Sequence, residues 1–358
     1  MKILYLTFAL FFSGLSSALA CTGISFFAKD GGYVQARTIE WGDSFLPSEY
    51  VIIPRNLNQT SYTPTGINGL KFKSKYGVVG LAIIQKEFIA EGLNEAGLSA
   101  GLFYFPHYGK YPEYDQKQNS RTLSDLQFVS WILSNFSTID EVKKAIEQVR
   151  IVSLDKEGAS STVHWRIGEA SGRQVVLEFE NGKPCFYENQ VGVLTNSPDF
   201  KWQVTNLNNY VNLFPGNAPV QKIGNVTIFP FGAGSGFLGI PGDITPPSRF
   251  VRIAFYKATA PQQNTSDETI LQCFHILNNF DIPIGIEFAP GESVPDIPSA
   301  TQWTSATDIS NRIIYYRTMY NSTIRCIDLK TIDFGKVKYQ VAPLDAKKNQ
   351  SIERIKIK

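Results

Sequence analysis

The chain has 358 residues, of which 43% are apolar and 18% charged, and this balance excludes a disordered or fibrous protein. A net charge of +2 with acidic and basic residues interspersed, and no block of Lys or Arg, excludes a polybasic nucleic-acid or membrane-surface protein. Only three His and four Cys are present, and Cys-x-x-Cys does not occur, so the composition points away from a metal centre.

Met1-Lys2 is a short basic start, and Ile3 to Leu15 is a nearly unbroken apolar run. Ala18-Leu19-Ala20 then places small residues where a signal peptidase reads, so residues 1–20 read as an export leader cut before Cys21. Two alternatives stay open. A retained anchor would need a longer apolar run to span a bilayer. A lipoprotein acylated on Cys21 would carry a large aliphatic residue three before the Cys and a small one two before; Ala18 and Leu19 stand in the reverse order. No later segment is long and apolar enough to span a membrane, so the mature chain is expected to be exported, periplasmic or secreted, without a membrane span.

Cys21 to Ala28 reads as a strand, 29–32 as a turn and Tyr33 to Ile39 as the return strand. Val78 to Phe88 and Glu91 to Phe105 read as further strands, with 94–97 as a turn. Leu123, Leu126, Val129, Ile132, Leu133 and Phe136 recur at helical spacing. A second helix is expected to start at Thr138, where Thr138-Ile139-Asp140-Glu141 forms a capping box. Ser161 to Glu180 reads as a hairpin broken at 169–172, and 231–247 as a Gly/Pro-rich loop. Helices follow over Arg249 to Ala258 and Asp267 to Asn279, and the Lys/Ile-rich tail after Ala342 reads as loosely held. Mixed strands and helices without repeat or linker imply one α/β or α+β domain over 21–358.

A cut before Cys21 puts a thiol and a free α-amine on one residue. The amine titrates at roughly 7.7–8.0 and the thiol at roughly 8.5, so the nucleophile carries its own general base and needs no histidine. The first hairpin brings Arg37 beside the Cys21 end of the opening strand, where a cation favours the thiolate. Glu40 is placed to hold the α-ammonium. The competing reading of Cys21 is a disulfide partner for Cys185, Cys273 or Cys326, and Arg37 and Glu40 are then ordinary strand residues. His107, His164 and His275 read as structural. Gly234-Ser235-Gly236-Phe237-Leu238-Gly239 matches a dinucleotide fingerprint in letters only, since no strand precedes it and no helix follows at once.

Cys21-Thr22-Gly23-Ile24, Asp30-Gly31 and Arg37-Thr38-Ile39-Glu40-Trp41 together resemble the start of the choloylglycine hydrolase family, which contains penicillin V acylases and bile salt hydrolases. Asn94-Glu95-Ala96-Gly97-Leu98, Gly192-Val193-Leu194-Thr195-Asn196-Ser197-Pro198 and Leu238-Gly239-Ile240-Pro241-Gly242-Asp243 with Ser248-Arg249-Phe250-Val251-Arg252 continue the resemblance in order, to about residue 335. It implies an N-terminal-nucleophile hydrolase with a four-layer αββα fold, no cofactor and no metal. By the same resemblance Cys21 is the nucleophile, Arg37 supports the thiolate, Asn196 donates to the oxyanion and Arg249 organises charge near the nucleophile. Glu40 stands where bile salt hydrolases usually carry Asp. Those enzymes also carry an Asn within the stretch that here reads Gly101-Leu102-Phe103-Tyr104-Phe105. Penicillin V acylases can carry Tyr there, so the backbone N–H of Tyr104 is the implied second oxyanion donor. Trp41, Phe103, Tyr104 and Phe105 are the implied pocket residues. The expected substrate is a small linear amide with an apolar acyl group, such as phenoxymethylpenicillin or an N-acyl homoserine lactone, with conjugated bile salts as the alternative. Homotetramers are common in the family. The alternative of another class is a lipid-anchored, non-catalytic binding protein.

Overall fold

The computed structural model describes residues 20–42, 44–154 and 162–357. The leader expected over residues 1–19 lies outside the described residues.

Two antiparallel sheets form the centre. The six-stranded sheet runs in the order Val193–Leu194, Cys21–Phe27, Tyr33–Glu40, Thr301–Asp308, Ile313–Thr318, Asn321–Asp328. The eight-stranded sheet runs Lys183–Glu188, Gln174–Glu180, Val163–Glu169, Leu98–Tyr104, Ile89–Asn94, Val78–Ile83, Ser48–Ile53, Gln340–Pro343. Helices Pro246–Thr259 and Ser266–Leu277 pack on the six-stranded sheet, and helix Phe128–Asn135 packs on the eight-stranded one. The result is the α+β sandwich that the resemblance implied. Because helices cover the outer faces, the central strands are buried on both sides. All eight residues of Tyr33–Glu40 are buried, Arg37 and Glu40 included.

The sheets meet closely at Gly23. A Cβ there would lie 2.9 Å from the Phe103 ring and 3.1 Å from the Arg166 guanidinium. The first strand therefore needs glycine two residues after Cys21, so that the facing sheet can approach the nucleophile.

Most expected elements are found. Cys21–Phe27 pairs with Tyr33–Glu40, and Gly23 stands opposite Arg37. The Thr138 capping box opens helix Ile139–Ala145, with Glu141 closing it. The expected helix around Leu123 begins later: Thr122–Ser124 is a strand paired with Arg150–Val152, and the α-helix starts at Phe128. The tail is held further than expected. Arg325 binds Asp345 at 2.6 Å, Leu344 is buried, and regular contacts fade only after about residue 350. Three of the strands in the six-stranded sheet, from 301 onward, were not anticipated.

Candidate active site

Side chains alternate across a strand, so Arg37 and Glu40 leave opposite faces of Tyr33–Glu40. Arg37 points into the space between the sheets. Its Nη1 donates to the carbonyls of Ala90, at 3.1 Å, and Leu102, and its Nε donates to Thr38 O at 3.1 Å. That leaves Nη2, which lies 2.8 Å from Cys21 Sγ. The guanidinium also lies 4.0 Å from the centroid of the Phe103 ring and 3.9 Å from Glu91 Oε2. All three nitrogens of the Arg37 guanidinium are thus engaged, and the one aimed at sulfur is fixed by the others.

The backbone nitrogen of Cys21 donates to Asn196 Oδ1 at 2.8 Å. Arg249 Nη2 donates to the same oxygen at 2.7 Å, and Asn196 Nδ2 donates to Tyr104 O at 2.7 Å. These partners orient the amide with its oxygen toward Cys21. The bond to Tyr104 uses one of the two amide protons. Arg249, in the second turn of helix Pro246–Thr259, also binds Cys21 O at 2.6 Å and Thr22 Oγ1 at 2.7 Å. The backbone N–H of Tyr104 is hydrogen-bonded to the Cys21 sulfur. Four expected residues, Arg37, Asn196, Arg249 and Tyr104, therefore converge on Cys21.

Burial pushes the Cys21 thiol up, and Arg37 is the main influence pulling it back; Glu40 opposes and Arg249 assists. Burial likewise pushes Glu40 up to about 8, against the pull of Arg249, Thr38, Arg37 and Thr301. Glu40 Oε1 accepts from Thr301 Oγ1 at 3.2 Å, while Oε2 has no partner. While Cys21 is joined to Ala20 its amide nitrogen meets Asn196, and Glu40 meets Thr301.

The raised Glu40 pKa has a stability consequence. In the fold the carboxyl keeps a proton that the unfolded chain releases above its ordinary 4.5. Its contribution is full below that value and is lost as pH rises through about 8. Glu40→Gln is expected to flatten the fall in Tm between about pH 5 and pH 9. Equal Tm changes in variant and wild type would refute this.

The aromatic expectations divide. Tyr104 and Trp41 are half-buried; Tyr104 borders the site through Asn196, while the Trp41 ring nitrogen donates to Ser44. Phe103 and Phe105 are correctly placed near the site but are core rings rather than pocket walls. Phe103 is sealed between Arg37 and Arg166, and Phe105 stacks on His164 at 4.4 Å. Phe103 points to the facing sheet, against Gly23 and Arg37, while Phe105, just past the strand end, covers His164 of the neighbouring strand.

Glu91, Arg166 and Glu178 went unnoticed in the sequence, and His164 was read only as structural. Glu91 and Arg166 are buried between the sheets and bonded at 3.1 Å, and Glu91 also faces Arg37. His164 is bonded to Glu178 at 2.8 Å and to the carbonyl of Thr195, next to Asn196, at 3.1 Å. Of the three histidines it is the one that is buried; His107 and His275 are exposed. All four cysteines are free. Cys273 is pushed up to about 12 by burial, and Cys21 is the one whose sulfur meets a guanidinium. The expected disulfide alternative for Cys21 is therefore overturned by the geometry.

The model of the family described as linear amide C–N hydrolases, choloylglycine hydrolase family, matches residues 21–346. The chain belongs to this family. It is an amide hydrolase, with the N-terminal-nucleophile type of α+β sandwich. A bile salt hydrolase/transferase from Clostridium perfringens (strain 13 / Type A) is 33% identical over 324 residues, covering 89% of this chain and 95% of the relative. A penicillin V acylase from Pectobacterium atrosepticum is 27% identical over 363 residues, covering 94% and 88%. The crystal structure of a mutant conjugated bile acid hydrolase from Clostridium perfringens superposes with a TM-score of 0.81 at 31% identity, over 94% of this chain and 100% of that one. Among the described residues no helix is long and apolar enough to cross a membrane.

Proposed function

We propose that the chain is exported, is cut between Ala20 and Cys21, and then hydrolyses small linear amides with an apolar acyl group as a single domain over 21–358. The observation that carries this is the double placement of Cys21: its sulfur lies 2.8 Å from Arg37 Nη2, and its nitrogen lies 2.8 Å from Asn196 Oδ1. While Ala20 is attached, that nitrogen is an amide and has no basic lone pair. After the cut it is an amine able to take the thiol proton. The family match that begins at residue 21 supports this start.

In the proposed reaction the Cys21 thiolate attacks the substrate carbonyl. The oxyanion is met by the remaining Asn196 amide proton and by the Tyr104 backbone N–H. The C–N bond breaks as the amine of Cys21 returns its proton to the leaving nitrogen. Water then cleaves the thioester and restores the thiol. Arg37 supports the thiolate, while Arg249 fixes the Asn196 oxygen and the Cys21 carbonyl; Glu40 tunes the charge behind them. No cofactor or metal takes part. Asn196→Ala removes one oxyanion donor and is expected to lower kcat by about 10²–10³-fold. A drop in stability without that loss in kcat, measured on the folded fraction, would refute the role.

Phenoxymethylpenicillin and N-acyl homoserine lactones are the favoured substrates, because Tyr104 stands where bile salt hydrolases carry Asn. Conjugated bile salts are the second reading, favoured by the 33% identity to a bile salt hydrolase/transferase. A hydrolysis panel of penicillin V, acyl homoserine lactones of several chain lengths and glycocholate tests the choice; glycocholate turned over fastest would reverse it. A lipid-anchored Cys21 conflicts with a sulfur buried against Arg37, and a diacylglyceryl adduct in the intact mass would overturn the enzyme reading. Assembly as a homotetramer would cover the exposed Ile223, Val226, Phe229 and Phe231, and sedimentation measures it.

A further inference from the structure

Ala20 is buried in a small apolar cluster separate from the main core. It packs with Ile282 and Ala300, and Ile244 and Ile284 pack around them. Its carbonyl accepts from the backbone N–H of Glu40 at 2.9 Å. The cut proposed above removes Ala20 and opens this recess. What remains is an apolar wall of three isoleucines and an alanine, with the Glu40 N–H, on a fully buried residue, directed into it. A buried donor that loses its acceptor is costly unless a new acceptor arrives.

The position of the recess matters for the chemistry. Arg37 and the Tyr104 N–H approach Cys21 at its sulfur, whereas Ala20 adjoins its nitrogen. When the substrate C–N bond breaks, the leaving nitrogen takes a proton from the Cys21 amine, so it must lie within a hydrogen bond of it, about 3 Å. The carbonyl carbon and Cα of Ala20 lie within that reach of the Cys21 nitrogen, so the cut frees space there.

We propose that the recess vacated by Ala20 is the subsite for the leaving amine, and that it selects amines whose carbon next to the nitrogen bears a carbonyl group. The oxygen of that group takes the place of the Ala20 carbonyl on the Glu40 N–H, and the small carbon frame rests on Ile244, Ile282 and Ile284. Glycine, homoserine lactone and the β-lactam amine all have this arrangement. Taurine sets its acceptor one carbon further away, and ethylamine has none. The bond changes are those of the mechanism above, on which the inference rests: S–C forms, C–N breaks, and one proton passes from the Cys21 ammonium to the leaving nitrogen.

The test uses mature protein and one acyl group, phenoxyacetyl, on four amines: glycine, homoserine lactone, taurine and ethylamine. The expected result is a kcat/KM at least tenfold higher for the first two than for the last two. Hydrolysis of the common thioester should proceed at one rate for all. Ile284→Phe, which fills the recess from a half-buried loop position, is expected to erase that tenfold preference. It should leave the preference between phenoxyacetyl and butanoyl on a single amine unchanged. Equal kcat/KM across the four amines, or an Ile284→Phe effect on the acyl series instead, would overturn the subsite while the mechanism stands. Failure of the wild type to cleave any of the four would overturn the mechanism and the subsite together.

Discussion

Cys21→Ala is expected to abolish amide cleavage and to leave the fold in place. The sulfur is the only group at the site able to form a thioester, and loss of a nucleophile elsewhere costs on the order of 10⁶ in kcat. The fold should survive because the alanine keeps the backbone bonds that tie residue 21 down: its nitrogen to Asn196 and its carbonyl to Arg249. Arg37 loses one partner but retains three carbonyls and Glu91. A stability loss of about 1 kcal/mol is expected. The measurement is turnover of penicillin V together with a thermal melt on the same sample. A folded Cys21→Ala protein that still turns substrate over would end the nucleophile assignment.

The sequence made Cys21, Arg37 and Glu40 legible because they sit on one hairpin, where register follows from turn position and strand alternation. The pairing of Gly23 with Arg37 is local arithmetic. Asn196 and Arg249 are different. They reach Cys21 from 175 and 228 residues away, and only the family resemblance pointed to them. Nothing in the local sequence distinguishes either from a turn Asn or a helix-start Arg. The buried Glu91–Arg166 pair was invisible for a related reason. On a strand covered on one side by water, charged residues at alternate positions read as surface, and Gly92 and Gly168 beside them give no apolar signal. Here both sides are covered, so alternation cannot separate an exposed charge from a buried one. The same limit explains Phe103 and Phe105. Their spacing places them on one face of an ideal strand, but which face looks at substrate and which at the opposing sheet depends on the stacking of two sheets. Strands 301–308 and 321–328 are rich in Thr, Ser and other polar residues and are held by sheet pairing rather than by an apolar pattern, with a helix over 301–308. Strand 313–318, Ile-Ile-Tyr-Tyr-Arg-Thr, does carry a β-branched and aromatic signal, and it was legible in the sequence.

The second large effect is expected at Arg37. This side chain has no exposure and joins four things: the Cys21 sulfur, the carbonyls of the facing sheet, the Phe103 ring and the carboxylate of Glu91. Arg37→Met keeps much of the volume and removes every polar link. Glu91 then retains Arg166 alone, and the carbonyls of Ala90 and Leu102 lose a donor. Breaking one side of a buried charged network typically costs about 3–5 kcal/mol, so a large fall in Tm is expected. The catalytic consequence is separate. Without the guanidinium, the influences left on the thiol are burial and Glu40, both raising it, against Arg249 and the Tyr104 N–H. The thiolate fraction should fall, and with it the rate of acylation. Alkylation of mature protein by iodoacetamide across pH reads this directly: the Arg37→Met profile should move to higher pH than the wild type. Arg37→Lys guards against a variant that does not fold. It restores the positive charge beside Glu91 but not the fork that aims one donor at sulfur while the others hold the sheet. It should therefore recover stability more fully than activity. Identical alkylation profiles for the wild type and both variants would show that Arg37 serves the fold alone.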